Sequence, residues 1–352
     1  MPFFMTQAIR FLLYQMKSLQ RATHAGLNLL PALNSRTQLN SPSNHKPEIA
    51  ERVRVDAYYE AIQRSLQVDQ SLTEPGTGAV TLALFAAEQS PDRMGVRDHF
   101  DFIHLAQKIA SSRGIDCIEF VNHNSREFMP EERAELLVHE QIGDGLLTGH
   151  MLDSLIDLKK RCLKPDGRIL PAQFEVFIEP IQLHWGRAVS HLWNRPEHAV
   201  DFNALRDSRE ADGLKPPTTE CLLLESSSAD CLLCSPKPIM RFDLNQLTST
   251  DELEGVTKTC KQTVRAGRMD GLALYVRARF DEDIAFDTSP FGRFTHRRFR
   301  LFRTPVREVA AGETIEIALD LKDPTDLHSW KLTLHPAQRS GSTKEAPATV
   351  ML

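Results

Sequence analysis

Apolar positions along the chain follow two periods, and the change from one to the other divides it. Ile9, Leu12, Leu13, Met16 and Leu19 fall at helical spacing, so residues 1–25 predict an amphipathic helix, followed by a Ser/Asn/Pro-rich linker from Asn34 to Pro47. Glu48 to Leu66 predicts a helix with Val53, Ala57, Ala61 and Ile62 on one face. Val80 to Ala87 is nearly all apolar and is expected to be a buried helix. Phe102, Ala106, Ile109 and Ala110 make another helical stripe, with Gly114 where a C-cap glycine belongs. Short strands are expected at Cys117 to Val121 and Leu136 to His139. Leu152, Leu155, Ile156 and Leu163 mark a further helix, stopped by Pro165-Asp166-Gly167. Helices and strands in alternation imply a parallel sheet with helices on its faces.

After Pro171 the period becomes two. Phe174, Val176 and Ile178 alternate with Glu175 and Glu179; Val276, Ala278 and Phe280 alternate with Arg277 and Arg279. Ile315, Ile317, Leu319 and Leu321 alternate with Glu316 and Asp320, and Trp330, Leu332 and Leu334 follow. These predict half-buried antiparallel strands of a sandwich or barrel. Asn194 to Pro236 is long and turn-rich, as expected of a segment that carries a contact or a function. The expected organisation is a basic helix and linker (1–47), an α/β domain (48–171), a β-domain (172–338) carrying an arm at about 196–236, and a disordered tail (339–352).

The 352 residues suit two domains. Lys plus Arg number 42 against 47 Asp plus Glu, a net charge of -5, which disfavours a nucleic-acid partner. Residues 1–47 hold no Asp or Glu but do hold Arg10, Lys17, Arg21, Arg36 and Lys46. That composition fits a docking helix, an organellar presequence or an extension. No apolar run approaches the roughly 18 residues of a membrane span, so no membrane partner and a soluble, cytoplasmic protein are expected. Cys117, Cys162, Cys221, Cys231, Cys234 and Cys260 are too sparse for a disulfide scaffold. Cys231 and Cys234 form the only C-x-x-C pair; with no second pair and no histidines at ligand spacing, they read as ordinary thiols and no metal is expected.

Three stretches point to chemistry. Glu74-Pro75-Gly76-Thr77-Gly78-Ala79-Val80 precedes the apolar helix, where glycines let the backbone approach an anionic ligand at a helix N-terminus. Arg93 to Asp98 reads as a strand ending in an acid about 20 residues beyond the glycines, the position from which a carboxylate accepts ribose hydroxyls. Val138-His139-Glu140-Gln141-Ile142-Gly143-Asp144 follows a strand and so puts Glu140 at a carboxyl end, where open α/β sheets bind substrate.

With these motifs the chain resembles the protein arginine methyltransferases over roughly Glu48 to Leu334. Glu51-Arg52-Val53-Arg54, then Tyr58 and Ala61-Ile62, is similar to the family's segment before the glycine loop; Gly76, Gly78 and Asp98 match its cofactor motifs. Glu140-Gln141-Ile142-Gly143, through Met151-Leu152-Asp153-Ser154 to Pro171, resembles its catalytic hairpin. Asp287-Thr288-Ser289-Pro290 with Thr295-His296 resembles the barrel loop that closes the substrate site, and Val200-Asp201-Phe202 the start of the dimerisation arm. The resemblance implies a Rossmann-like domain joined to an antiparallel β-barrel, S-adenosylmethionine as co-substrate, an arginine in a protein or peptide as acceptor, and a homodimer. It implies cofactor contacts from Arg54, Glu74, Gly76, Gly78, Asp98, His99, Ser125, Arg126 and Glu127. Glu140 would orient the acceptor; with Asp144 of the same loop as second carboxylate, Ile142 and His296 would line the pocket.

The chain departs from the family in places. The second hairpin glutamate falls on Gly149, the third glycine on Val80, and Thr-His-Trp on Thr295-His296-Arg297; the strand before Glu74 is polar. Because a guanidinium stays protonated to a pKa above ~12, two carboxylates serve to hold it and direct its charge. Losing one such contact costs about 2–4 kcal/mol, roughly 30- to 1000-fold in rate. Asp144 is the candidate replacement. The alternatives are a non-catalytic homologue binding through its barrel and arm, methylation of a small amine, and, last, a nicotinamide oxidoreductase.

Overall fold

A computed structural model describes residues 51–76, 81–89, 93–98, 102–122, 129–142, 151–184, 221–293, 298–336 and 348–351. The basic N-terminal segment and most of the expected arm lie outside them. Among the described residues no helix is long and apolar enough to cross a membrane.

Five parallel strands, β1 (Ser71–Pro75), β2 (Arg93–Asp98), β3 (Ile118–Asn122), β4 (Ala134–Val138) and β5 (Leu163–Leu170), form a sheet in the order β3-β2-β1-β4-β5. The order reverses between β1 and β4, which opens a crevice at their carboxyl ends. The α1 helix (Arg52–Ser65) buries Ala57, Tyr58, Ala61 and Ile62, one stripe at helical spacing. The short α2 (Thr81–Ala87) buries Leu82, Ala83 and Ala86. Its Leu84 and Phe85 are only half-buried; the Phe85 ring meets Tyr59 of α1 edge-on at 5.1 Å, so the helix is less enclosed than its composition predicts. In α3 (Phe102–Ser112) the buried row includes Ile103, Ala106 and Ala110, with Ile109 half-buried, and Gly114 follows at φ 68°.

The last helix, α4 (Met151–Cys162), ends earlier than its sequence suggests. Leu163 opens β5, and Pro165-Asp166-Gly167 lies inside that strand rather than stopping the helix. The register moves from Ala134↔Leu163 to Leu136↔Arg168, so the Pro-Asp-Gly stretch forms an irregularity in the pairing. A Cβ on Gly167 would sit 3.0 Å from the Ala134 and Lys164 carbonyl oxygens, so the glycine serves a close backbone approach.

Beyond Pro171 all pairing among the described residues is antiparallel. One sheet runs β7 (Cys221–Glu225), β13 (Arg298–Val309), β11 (Gly267–Arg279), β6 (Gln173–Leu183), β8 (Ala229–Leu232), with β9 (Met240–Asp243) on β6 and β12 (Ala285–Asp287) on β11. The other is β10 (Gly255–Gln262), β14 (Thr314–Leu321), β15 (Lys331–Pro336), β16 (Ala348–Met351).

Three expectations are corrected here. Residues 221–232, assigned to the arm, form β7 and β8. Residues 348–351, assigned to a disordered tail, pair with β15. The third concerns β6, which is buried on both faces, with Glu175 9% and Glu179 0% exposed, instead of presenting its acids to water. Glu179 is sustained there by Lys261, whose Nζ lies 2.6 Å from it and also donates to the Lys237 carbonyl at 2.6 Å.

The two halves share one hydrophobic core. Tyr58 of α1 packs edge-on against Phe280 at 4.8 Å, and Lys159 Nζ donates to the Leu244, Asn245 and Leu247 carbonyls at 2.7, 3.1 and 2.5 Å. α1 and α4, the helices flanking the β1–β4 crevice in sequence, are thereby fastened to the antiparallel half.

Candidate active site

The crevice is built by α1 and by the segments leaving β1 and β4. Arg54 and Tyr58 stand four residues apart on α1 and so share a face. The Tyr58 hydroxyl donates to the His139 carbonyl at 2.6 Å, and Arg54 Nε lies 3.0 Å from Glu140 Oε1. Burial first, then the Glu140 charge, raises the Tyr58 pKa well above its ordinary value, so the phenol stays a donor. The loop after β4 turns tightly, with the Ile142 amide donating to the Glu140 carbonyl at 2.8 Å, a γ-turn hydrogen bond. Glu140 keeps 33% of its side chain exposed and Arg54 15%, so the pair borders open space instead of the core.

On the other side of the crevice β1 ends in Pro75, and Gly76 follows at φ 75°, a left-handed conformation that disfavours any side chain. A Cβ there would already touch Gln141 Nε2 at 3.4 Å. Gln141 Nε2 in turn lies 3.4 Å from the Pro75 carbonyl, tying the β4 loop to the glycine turn. The structure thus brings Arg54, Gly76 and Glu140 to one end of the sheet. Glu74 is buried at 2% exposure just before the turn. Asp98 ends β2, one register step beyond the Pro75↔Arg97 pair and so at the same edge.

Gly78, His99, Ser125, Arg126, Glu127, Asp144, Gly149 and His296 lie outside the described residues. The barrel loop begins at Asp287, which accepts from the Ser289 amide at 3.1 Å and meets Arg277 at 3.5 Å. Arg277 also reaches Glu175 at 3.3 Å, and Glu175 meets Arg241 at 2.8 Å. A row of alternating charge therefore crosses β9, β6, β11 and β12 to the root of that loop.

Sequence reasoning placed Glu51, His139 and Gln141 within its motifs but gave them no role. Glu51, at the start of α1, is a carboxylate with 2% exposure. His139 and Gln141 flank Glu140 and hold its backbone. His139 is fully buried, its Nε2 lies 3.1 Å from the Pro171 carbonyl, and burial lowers its pKa to about 4 despite that hydrogen bond. The usable signal was their adjacency to Glu140 after a strand.

A cavity of about 260 Å³ lies elsewhere, lined toward the amino ends of the strands by Ser71, Glu119, Glu135 and Lys164 among others. Burial pushes Glu135 up, but Lys164 and the Ser71 hydroxyl and amide outweigh it and hold the carboxyl at about 2. Among the described residues no group of His, Cys, Asp and Glu is placed to hold a metal.

Comparison with known proteins gives a consistent picture. The chain is 24% identical over 302 residues to protein arginine N-methyltransferase 6 of Xenopus laevis, covering 81% of this chain and 85% of the relative. It superposes with a TM-score of 0.73 on a chain of the Trypanosoma brucei PRMT1 enzyme–prozyme heterotetrameric complex with AdoHcy, at 18% identity, covering 89% of this chain and 99% of that one. Protein arginine methyltransferase 10 of Arabidopsis thaliana, solved in an open conformation, gives 0.70 at 18% identity with the same coverage. No family model matches the chain. The structural likenesses establish a Rossmann-like domain followed by a β-barrel-like one.

Proposed function

We propose that this chain, a member of the protein arginine methyltransferase family, transfers the methyl group of S-adenosylmethionine to a guanidinium nitrogen of arginine in a protein or peptide. One observation carries the reading: the glycine turn after β1 and the Glu140 loop after β4 meet where the strand order reverses, joined by Gln141 and faced by Arg54. The residues fit a nucleoside co-substrate, because Gly76 keeps the turn free of side chain and Arg54 provides a cation for a carboxylate. When bound, S-adenosylmethionine supplies a methyl group on a positively charged sulfur.

In this reading Arg54 holds the co-substrate carboxylate and Asp98 the ribose hydroxyls. Glu74, Gly76, Gly78, His99, Ser125, Arg126 and Glu127 complete that side. Glu140 binds one edge of the acceptor guanidinium, concentrates its charge there, and leaves the opposite nitrogen aimed at the methyl. Alignment and electrostatics of this kind supply most of the acceleration expected for an in-line displacement. Asp144 is the proposed second carboxylate and His296 a proposed acceptor-side residue. We further propose a cytoplasmic homodimer assembled through the segment beginning Val200-Asp201-Phe202.

Gly149, in place of a second carboxylate, favours a second reading in which the chain binds partners and transfers slowly or not at all. Calorimetry with S-adenosylhomocysteine and labelled methyl transfer to an arginine-rich protein separate the two. The enzyme reading predicts micromolar binding with transfer; Glu140→Gln should abolish turnover and leave affinity within a few-fold, and Gly149→Glu should raise the rate. Binding without transfer by the unmodified chain supports the second reading. Folded protein that binds no co-substrate overturns the enzyme reading.

A further inference from the structure

Three elements converge on the residue before Glu140. The His139 amide donates to the Leu170 carbonyl at 3.0 Å, extending the β4–β5 ladder by one bond. Its own carbonyl accepts the Tyr58 hydroxyl of α1 at 2.6 Å. Its imidazole Nε2 lies 3.1 Å from the next carbonyl of the chain leaving β5, that of Pro171, and the ring sits 6.4 Å from Phe174 of β6. The residue is wholly buried, so each of these bonds is formed out of water, where an unmet partner is costly.

Because a carbonyl only accepts, the proton must be on Nε2. Among the described residues Nδ1 has no hydrogen-bond partner, and it carries the ring's bare lone pair. Arg54 and Tyr58, on one face of α1, thus grip consecutive residues of the loop, one at the Glu140 carboxylate and one at the His139 carbonyl. That grip joins the loop to α1, which Tyr58 packs against Phe280 of the antiparallel half, and the His139 amide holds the backbone to the end of β5 through the Leu170 carbonyl. The His139 ring adds a side-chain bond one residue further along, at the Pro171 junction itself.

We infer that His139 is the positioning residue for Glu140: its Nε2–H bond to the Pro171 carbonyl sets the distance between the acceptor carboxylate and the junction of the two halves. The inference rests on the arginine-transfer reading above and deepens it. His139 touches neither the co-substrate nor the acceptor; it acts through the one backbone it shares with Glu140. A displacement of about 1 Å in a positioning element costs on the order of 100-fold in rate.

The test compares two amides at this position. Gln carries its NH2 at a reach similar to Nε2 and can donate to Pro171; Asn is polar and compact but too short. In the full chain, His139→Gln should keep kcat within a few-fold. His139→Asn should lower kcat about 10- to 100-fold while its calorimetric affinity for S-adenosylhomocysteine stays within a few-fold of the parent. Equal kcat in the two variants overturns the inference, as does a loss of co-substrate affinity in His139→Asn matching its loss of rate.

Amide exchange over residues 139–142 provides a readout independent of turnover. The inference predicts faster exchange in His139→Asn, restored in His139→Gln, with α1 unchanged; indistinguishable exchange in both overturns it. If the unmodified chain transfers no methyl group, the arginine-transfer reading fails while the exchange result still decides the role of His139.

Discussion

At His139, burial and a single hydrogen bond together choose a protonation state, and that choice has a pH signature. The ordinary imidazole pKa of 6.5 falls to about 4 in the folded chain, so the folded state binds fewer protons than the unfolded one between those values. The contribution of the neutral ring is fully present above pH 6.5 and is lost as pH drops toward 4, amounting to about 3 kcal/mol across the window. Urea unfolding at pH 7.5 and 4.5 should show this loss in the parent chain and a loss smaller by about that amount in His139→Gln; equal pH dependence in the two contradicts it. Glu135, held at about 2 against an ordinary 4.5, adds a loss of its own that begins near pH 4.5 and is complete only near 2, equally in the parent chain and in His139→Gln. Glu140 was legible in the sequence because an acid just after a strand lies at a sheet's carboxyl end. The roles of His139 and Gln141 were not, since their partners are the Pro171 and Pro75 carbonyls, 32 and 66 residues away, and a backbone acceptor leaves no mark in composition.

Among the elements, the helices were the most readable, because α1 and α4 each bury one stripe against the sheet and the 3.6-residue period survives in the sequence. β1 was harder: Glu74 and Pro75 give it poor strand propensity and its residues are mostly polar, yet Thr73 and Glu74 are buried at the centre of the sheet. The β6 strand was misjudged for a related reason. Alternation of Glu175 and Glu179 with apolar residues implies a wet face, but the antiparallel half supplies Arg241, Arg277 and Lys261 to meet both acids. For Glu179 and Lys261, at 0% and 1% side-chain exposure, burial pushes the carboxyl up and the ammonium down while each partner opposes the shift. Removing one charge leaves the other stranded. Glu179→Leu should therefore destabilise the fold by about 3–5 kcal/mol, whereas the Glu179→Leu, Lys261→Met double replacement should recover most of it. Chemical unfolding of the single and double variants checks this; a double variant no more stable than the single would show that the pair's hydrogen bonds to Lys237, rather than its charges, dominate.

Across the whole molecule, a continuous core couples the parallel and antiparallel halves through Tyr58, Phe280 and Phe286, and the Lys159 ammonium fastens α4 to the turn at 244–247. That coupling gives the crevice its rigid walls: α1 contributes Arg54 on one side while its Tyr58 reaches both the antiparallel half and the loop of Glu140. The order of motifs and the change of period at Pro171 made this architecture readable from sequence. The strands at 221–232 and 348–351 escaped because short edge segments carry too few alternating residues to declare themselves. The central claim is that the Gly76 turn and the Glu140 loop bound one transfer site. A crystal structure of the chain with S-adenosylhomocysteine tests it most directly. The account predicts the adenosyl group on the Gly76 turn, the amino-acid carboxylate at Arg54 and the sulfur facing Glu140. A ligand seated instead in the cavity beside Ser71 and Glu135, or a sulfur separated from Glu140 by packed side chains, would contradict it.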